Sequence, residues 1–532
     1  MSINLEKNKP SKANFRVLNQ ILLSLVFFSI LIIEFVLFID FSGDNFFPGT
    51  KFDFFGIEMA ILPILIIVCL FLTSVSTIGL IFSLKIIVSG KKKSEIKRYK
   101  APIIAFFLIL GIGLISLQYY YPIWPGDLGI PPKFGPYIGL YGENDMIISW
   151  DCNQEETFTL LWGTEMDNLS NEKLSSIQNW IDNDKIFHHT VIFDSLNSGN
   201  DYYYSIPQFS KEIYSFKTAP SFDSGENVVF TIVGDTQAGF AIPKKNINLM
   251  LSDPDGLDFT CIAGDLVNRG DKINEWARLF NKKTYGRITS SIPWMNAPGN
   301  HETYCENVGC GFRENYKLFF QYDYPGNKII LNDTPDYGLY YSYNYSNVHM
   351  IALDNFQNET YTRSQGKSTG SSFTTAQLEW LEDDLSRNSD MWKFVYFHVP
   401  MFSMADSGPN IDIINQLEPI FEKYQVDAVF SGHDHYFDSF LVNSTYHFVV
   451  GGGGVSIEPM MDQEKFGDLA WLDSQLNVSE TEGQFDQVFG SEYQLFGELC
   501  NHYLKIKVQG DTATFTAIRS SDGSTIIEYI LE

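Results

Sequence analysis

Five short polar clusters, each directly after an apolar run, constrain the fold of this chain more than any other feature. The apolar runs have the length and residue types of strands. Helical patterns lie between them, such as Thr374–Arg387, where Thr374 and Gln377 form a capping box. This alternation predicts an α/β layer structure, in which ligand-binding residues gather at the carboxyl ends of the strands. The clusters are Gly234-Asp235-Thr236-Gln237, Gly264-Asp265, Gly299-Asn300-His301-Glu302, Val395-Tyr396-Phe397-His398 and Gly432-His433-Asp434-His435.

The side chains of these clusters are the ligand types of a metal site. They supply carboxylates, an amide oxygen and imidazoles, enough for two hard or borderline divalent cations. A bridging carboxylate would hold such a pair roughly 3.5–4 Å apart. A single His-x-His pair is often structural, and an Asp after Gly usually belongs to a cap or a turn. The presence of all five clusters, each after a strand-like run, favours the two-metal site over these alternatives.

In order and content, the clusters resemble the sequence blocks of the calcineurin-like metallophosphoesterases, most closely the purple acid phosphatase branch. The blocks of that branch are GDxG, GDxxY, GNH(D/E), VxxH and GHxH, and the last three match here in full. The strand-rich stretch upstream is similar to the fibronectin-like domain of that family, including Trp150 and residues 216–220. The resemblance covers residues 133–532, roughly.

The resemblance implies a dinuclear phosphoric ester hydrolase, an acid phosphatase-like phosphomonoesterase or phosphodiesterase. A hydroxide bridging the two metal ions would attack phosphorus, and His301 would face the phosphate and assist the leaving group. We expect Glu302 to support the ligands rather than bind metal. The implied ligands are Asp235, Asp265 and His435 for the first ion, and Asp265, Asn300, His398 and His433 for the second, with Asp265 bridging.

Two positions depart from the purple acid phosphatase pattern. Gln237 ends the first block in place of Gly, and its amide oxygen would bind the first metal weakly or support another ligand. Asn268 stands where the purple enzymes place their iron-binding Tyr. Without that phenolate, we expect two divalent ions such as Mn, Zn or Fe, and no ferric-tyrosinate purple centre.

The rhythm of strands and helices divides the chain into four parts. Residues 225–532 are predicted to form the metallophosphoesterase β-sandwich flanked by helices, in four α/β/β/α layers, with a long insertion at 461–498. Residues 135–220 are predicted to form a small all-β, fibronectin III-like sandwich. Residues 122–134 are rich in Pro and Gly and indicate a linker. Residues 1–121 are predicted to form a membrane region.

Three apolar stretches predict transmembrane helices, at about residues 17–39, 59–84 and 101–121. Lys and Arg precede the first stretch and lie between the second and third, whereas the intervening loop is acidic. The positive-inside rule then predicts a multi-pass cell-membrane protein with a cytoplasmic amino terminus and an extracellular or lumenal catalytic domain.

The charge balance and the cysteine positions limit which partners and covalent modifications are expected. Residues 122–532 carry 57 acidic and 25 basic residues, a balance that argues against nucleic acid as a partner. The expected substrate is a phosphate ester, either a small molecule or a phosphoprotein. Cys305 and Cys310 have a spacing that a disulfide can close, and six Asn-x-Ser/Thr sequences permit glycosylation. The oligomeric state stays open.

The leading hypothesis is therefore a membrane-anchored, exterior-facing, metal-dependent phosphoesterase. The main alternative is a non-catalytic metal-binding or adhesion module that retains the fold, and a membrane sensor is a third. Histidines outside the clusters are expected to be structural, because none has a ligand-rich neighbourhood in the sequence. These are His188, His189, His349, His447 and His502.

Overall fold

The computed structural model divides the chain into two compact units, Met1–Ile123 and Trp124–Glu532. In the first unit it describes only the backbone of residues 51–54 and 57–60. In the second unit it describes residues 133–180, 183–237, 241–280, 284–303, 314–320, 339–356, 372–405, 409–457 and 494–532.

The first unit contains one antiparallel hairpin in its described part, formed by β1 (Lys51–Phe54) and β2 (Ile57–Ala60). Strand β2 covers the first two residues of the span predicted at 59–84, so hydropathy identified apolar content there but not the backbone conformation. The rest of the three predicted spans lies outside the described residues. Among the helices that the structure describes, none has both the length and the apolar character needed to cross a membrane. This finding contradicts the predicted multi-pass membrane location.

The second unit begins with two four-stranded antiparallel sheets, with strand orders β3-β4-β8-β7 and β10-β9-β5-β6. Phe193 of the first sheet packs against Trp162 and Phe216 of the second, so the two sheets share one core. Strands β6 and β7 were not predicted, because their residues are mostly polar and exposed. The strands are β3 (Phe134–Gly142), β4 (Asp145–Cys152), β5 (Thr159–Gly163), β6 (Asn171–Leu174), β7 (Ser176–Trp180), β8 (Asn183–Phe193), β9 (Asp201–Ser205) and β10 (Ile213–Lys217).

A six-stranded mixed sheet follows, with strand order β13-β12-β11-β21-β22-β23. Strands β11, β12 and β13 are parallel, and helices α1 and α2 connect them along the chain. The elements are β11 (Val228–Val233), α1 (Ala241–Leu251), β12 (Phe259–Ala263), α2 (Ile273–Leu279), β13 (Trp294–Ala297), β21 (His502–Gln509), β22 (Thr512–Arg519) and β23 (Thr525–Leu531).

The other large sheet has seven strands, in the order β14-β15-β16-β17-β19-β18-β20. Strands β15, β16, β17 and β19 are parallel. Strand β20 begins within the insertion predicted at 461–498, most of which lies outside the described residues. The elements are α3 (Glu314–Phe319), β14 (Tyr341–Tyr345), β15 (Val348–Ala352), α4 (Thr375–Arg387), β16 (Trp392–Phe397), α5 (Ile411–Tyr424), β17 (Ala428–Ser431), β18 (Phe437–Val442), β19 (Thr445–Val450) and β20 (Gln494–Glu498).

The two large sheets pack face to face. Phe394 of β16 contacts Phe230 of β11 and Phe515 of β22, so its ring lies between the sheets. The neighbouring Val395 points the other way, as alternation along a strand requires, and joins the apolar cluster of α4 and α5. The six-stranded sheet shows the same alternation, because Phe230 faces the other sheet whereas the Thr231 hydroxyl donates to the Met250 sulfur of α1. Sheets and helices therefore form layers, and the α/β prediction is confirmed.

Helix α4 begins where the sequence predicted. The Thr374 hydroxyl accepts the backbone N–H of Gln377, which is the cap that the sequence indicated. The Gln377 side chain bonds the backbone N–H and C=O of Asp354 at the end of β15. One side chain thus ties the start of α4 to the neighbouring strand end.

Candidate metal centre

Five strand ends of the two large sheets place polar residues together. Asp235 follows β11, Asp265 follows β12, Asn300 follows β13, His398 follows β16 and His433 follows β17. The first three strands are parallel to one another, and so are the last two, so their carboxyl ends meet at one edge of each sheet. Hydrogen bonds between these side chains show that the two edges adjoin.

Unusual backbone conformations aim these side chains inward. Asp235, Asp265 and His433 have φ values of 60°, 56° and 69°, in the left-handed region that non-glycine residues rarely adopt. Gly264 has a φ of 80°, and a Cβ atom there would lie 2.5 Å from Nδ1 of His398. Because such conformations cost about 1–3 kcal/mol each, their clustering at one site is typical of a functional centre.

Asp265 lies at the middle of the cluster. Its Oδ1 accepts the backbone N–H of His301 at 2.8 Å, and its Oδ2 lies 3.3 Å from Nε2 of His398. One ligand atom each from Asp235, Asp265 and His398 lie within 4.8 Å of one another, and all three residues are buried. That spacing suits a metal ion between them.

Asn300 connects the two histidines of the second predicted metal position. Its Oδ1 lies 2.9 Å from Nε2 of His398 and 3.2 Å from Nδ1 of His433. The two imidazole nitrogens are 3.3 Å apart. The opposite nitrogen of His398 bonds the backbone carbonyl of Ala263 at 2.8 Å, which fixes the ring so that Nε2 faces the site.

Two buried oxygen atoms in the cluster lack hydrogen-bond partners among the described residues. Oδ1 of Asp235 is one of them, and Nε2 of His435 lies 3.4 Å from it. Oε1 of Gln237 is also unpartnered, while its Nε2 donates to Oδ2 of Asp265 at 3.3 Å. Because buried polar atoms are normally bonded, these two orphans fit a site built to hold cations. The residues present therefore suit a pair of divalent ions.

The electrostatics of the site follow from burying opposite charges together. Burial alone would raise the pKa of Asp265, but the imidazoles of His398 and His301 outweigh it and hold that pKa well below its usual range. Burial would lower the pKa of His398, yet the Asp265 and Asp235 carboxylates raise it to about 10. Burial and the charge of His398 lower the pKa of His433 to about 3. His398 must therefore lose a proton to become a metal ligand.

His301 lies at the solvent side of the cluster, with 22 % of its side chain exposed. It begins a 3₁₀ turn, His301–Thr303. Its Nδ1 lies 2.8 Å from the backbone carbonyl of Asn268, so this nitrogen carries the proton and Nε2 faces Asp265 at 3.7 Å. The ring is thus held at the mouth of the site, where a substrate can reach it.

Other polar residues and cysteines of the chain have different surroundings. Arg269 is bound to Asp271 through two nitrogens, at 3.0 and 2.8 Å, which accounts for its charge. His349 bonds Asp384 at 2.8 Å and Asn344 at 2.6 Å, so the structural expectation for it is confirmed. The predicted pair Cys305 and Cys310 lies outside the described residues. Cys152, Cys261 and Cys500 are free thiols.

One contact at the site had no signal in the sequence. Arg278 of α2 donates from its guanidinium to the backbone carbonyl of Gln237 at 2.6 Å. The contact holds the loop that carries Asp235 and Gln237. An arginine within an amphipathic helix resembles any solvated basic residue, and only the fold brings it to this loop.

Comparison with known families agrees with this geometry. The family model of the calcineurin-like phosphoesterases matches residues 228–437, which begin at β11 and include all five polar clusters. Residues 228–437 form a calcineurin-like phosphoesterase domain. Members of this family use divalent metal ions, and the buried Asp235, Asp265 and His398 cluster is where they would bind.

Curated relatives extend beyond the phosphoesterase domain. An uncharacterised protein of Mycobacterium tuberculosis is 26 % identical over 392 residues, covering 62 % of this chain and 71 % of its own length. Purple acid phosphatase 18 of Arabidopsis thaliana is 26 % identical over 345 residues, covering 60 % and 70 %. Among solved structures, purple acid phosphatase PPD1 of yellow lupin has a TM-score of 0.58 at 16 % identity, covering 75 % and 74 %. The chain therefore has purple acid phosphatase-like homologues and a similar fold.

Proposed function

We propose that this protein is a dinuclear metal-dependent phosphoesterase that hydrolyses phosphate esters. The observation that supports this most is the convergence of Asp235, Asp265, Asn300, His398 and His433 from five strand ends onto one buried point. Carboxylate, amide and imidazole groups together suit divalent ions of borderline hardness. The phosphoesterase domain and its purple acid phosphatase-like relatives support the same reaction class.

The ligand assignment follows from the contacts. Asp265 lies between the others and would bridge the two ions, which would supply an activated water and neutralise phosphate charge. Gln237 would contribute its orphaned amide oxygen near the first ion. The first ion would be held by Asp235, Asp265 and His435, and the second by Asp265, Asn300, His398 and His433.

His301 would act on the substrate rather than on the metal. Its ring is partly exposed, Nδ1 of the ring bonds the Asn268 carbonyl, and the backbone N–H of His301 donates to the Asp265 carboxylate. With both ring nitrogens protonated, His301 could donate from Nε2 to a phosphate oxygen and pass that proton to the leaving group. Asn268 has a side chain without a phenolate, so we propose Mn, Zn or Fe(II) without a coloured ferric centre.

The substrate would be a phosphate ester, either a small molecule or a phosphoprotein, and the ester class can be tested directly. The full chain is stripped of metal with a chelator and then assayed with a chromogenic phosphomonoester and a phosphodiester. We expect hydrolysis of at least one ester after Mn or Zn is added back, and no hydrolysis in the stripped sample. A chain that binds two ions and cleaves neither ester would refute the enzyme and favour a non-catalytic metal-binding module.

A further inference from the structure

Glu302 is buried directly beside the candidate metal centre but points away from the cluster of ligand atoms. Its side chain is 1 % exposed, and both carboxylate oxygens accept backbone N–H groups. Oε2 accepts from Asp265 at 3.0 Å and from Gly299 at 2.7 Å. Oε1 accepts from Leu266 at 2.8 Å and from Val267 at 3.2 Å. One carboxylate therefore collects four backbone donors from two different loops.

Three of these donors are consecutive and form an anion-binding concavity. Asp265, Leu266 and Val267 direct their N–H groups at the same carboxylate, directly after two residues of positive φ, Gly264 at 80° and Asp265 at 56°. Successive N–H groups in such a turn make a nest that binds anions. Here the acceptor is a side chain of the chain itself, so Glu302 stabilises the left-handed conformation at Asp265.

The fourth donor connects this nest to the neighbouring strand end. Gly299 precedes Asn300, and a Cβ atom at Gly299 would lie 2.2 Å from Oδ1 of Asp265. The loops after β12 and β13 therefore approach as closely as their backbones permit. Glu302 holds the two loops together, because its carboxylate accepts N–H groups from both of them. Asp265 and Asn300, the ligands proposed for the second ion, project from these two loops.

Among the contacts of the described residues, none joins Glu302 to the His301 ring, so Glu302 does not act on the substrate through that ring. The ring bonds the Asn268 carbonyl through Nδ1, and the four backbone donors occupy both oxygens of Glu302. From this arrangement we infer that Glu302 is a positioning residue, which sets the geometry of the second metal position by clamping the backbones of Asp265 and Gly299. The inference rests on the proposed metal centre.

Only a carboxylate meets this demand fully. Four N–H donors need acceptors on both side-chain atoms, and a Gln side chain would turn an NH₂ group toward two of them. Glu302→Gln therefore keeps the size of the side chain but breaks the clamp. Glu302→Asp keeps both acceptors on a stem one methylene shorter, so it should weaken the clamp less.

Asp258 offers a matched control. It precedes the same strand, β12, at the end remote from the site, roughly 17 Å along the strand. Its carboxylate accepts the backbone N–H of Val229 at 2.8 Å and the hydroxyl of Tyr345 at 3.0 Å. Asp258→Asn therefore removes a carboxylate that also accepts a backbone N–H, without touching the metal centre.

The experiment compares metal affinity and amide hydrogen exchange in the full-length wild type, Glu302→Gln, Glu302→Asp and Asp258→Asn. Manganese binding is measured by calorimetry, and exchange by mass spectrometry of peptides that contain residues 264–267 and 299. For Glu302→Gln we expect 10–100-fold weaker manganese binding and faster exchange in these peptides, and any loss of kcat should accompany the loss of affinity. Glu302→Asp should fall between, and Asp258→Asn should match wild type in both measurements.

The inference is overturned if Glu302→Gln has the same amide exchange and manganese affinity as wild type. It is also overturned if Glu302→Gln loses kcat while its manganese affinity is unchanged, since that result marks a role in the chemistry. If Glu302→Gln does not fold, Glu302→Asp decides by the same two measurements. A wild type that binds none of manganese, zinc and ferrous iron rejects the proposed metal centre instead. The exchange comparison still decides the clamp, because it needs no metal.

Discussion

Two of the buried histidine–aspartate clusters that the structure describes use the same chemical groups for different purposes. In the phosphoesterase domain, Nε2 of His398 lies 3.3 Å from Oδ2 of Asp265. Between the small antiparallel sheets and α3, Nδ1 of His188 lies 3.1 Å from Oδ1 of Asp151, and the His188 ring packs on Phe319. All four of the histidine and aspartate residues are buried. Pair distance and burial therefore do not separate a candidate metal centre from a structural histidine–aspartate pair.

The difference lies in what surrounds each pair. Asp151 and His188 are directly opposite on neighbouring strands, and Tyr137 and Thr190 bond their remaining polar atoms. Around Asp265, by contrast, the chain leaves strands for loops in left-handed conformations, and further carboxylate, amide and imidazole groups converge without saturating one another. A saturated cluster stabilises the fold, whereas a cluster with orphaned oxygens is arranged to receive a ligand.

The largest expected effect comes from removing the central carboxylate of each cluster in turn. Asp265→Asn should abolish metal binding and reduce phosphoesterase activity by roughly 10³-fold or more, because the metal ions supply several kcal/mol of transition-state stabilisation. Asp151→Asn should cost about 1–3 kcal/mol of stability through its mispaired hydrogen bonds, with metal content unchanged. Metal analysis, ester hydrolysis and thermal unfolding of both variants measure the contrast. Loss of metal in Asp151→Asn would erase the distinction between the clusters.

A smaller effect is expected within the metal centre itself, at His301. His301→Ala should reduce kcat by about 10²–10⁴-fold, the usual contribution of a general acid, because no other group is placed to assist the leaving oxygen in the proposed mechanism. Metal content should stay at the wild-type value, which the same metal analysis checks. His301→Asn serves as the control for lost packing and should be equally slow. If either variant loses metal, His301 belongs among the ligands and not among the groups that face substrate.

Much of the fold follows from local sequence pattern. Strands β11 and β12 have the bounds that their apolar runs indicated, Val228–Val233 and Phe259–Ala263, because buried strands of α/β sheets are continuous apolar segments. The predicted strand ends also carry the site residues, since a strand end is where the apolar pattern stops. The sequence therefore predicted which residues to examine. It also indicated the structural role of His188, whose neighbours form an ordinary strand pattern.

Other features of the fold depend on contacts between residues far apart in the sequence, which a local sequence pattern does not reveal. The bonds from Glu302 to Asp265 and from Arg278 to Gln237 join residues tens of positions apart. The mostly polar strands β6 and β7 lack the apolar alternation that identifies strands, and so they were missed. The membrane prediction failed for a related reason, because apolar content shows that a segment avoids water and does not show its backbone conformation. Strand β2 at Ile57–Ala60 illustrates this.

A further histidine–carboxylate pair, His447 and Glu418, lies outside both clusters, and a variant of it tests the same distinction with the smallest expected effect. Nε2 of His447 is 3.9 Å from Oε2 of Glu418, too far for a hydrogen bond, and that oxygen is buried without a partner. Asn443 donates to Oε1 of Glu418 at 3.1 Å. Burial raises the pKa of Glu418 to about 7 and lowers the pKa of His447 to about 3.

The raised pKa means that folding favours the neutral form of Glu418. Its contribution to stability is complete below the usual glutamate pKa of 4.5 and is lost as the pH rises through the folded-state pKa of about 7. Glu418→Gln keeps an oxygen for Asn443 and cannot ionise, so it should exceed wild type by up to about 3 kcal/mol at pH 8 and match it near pH 4.5. Denaturant unfolding at the two pH values measures this, with the exposed Glu422→Gln on the same helix as a control expected within about 0.5 kcal/mol of wild type. A Glu418→Gln variant that is less stable at pH 8 would show that the carboxylate holds His447 or a bound cation there. The orphaned oxygen would then mark a ligand site, as we propose for Asp235, and the distinction would need a second criterion.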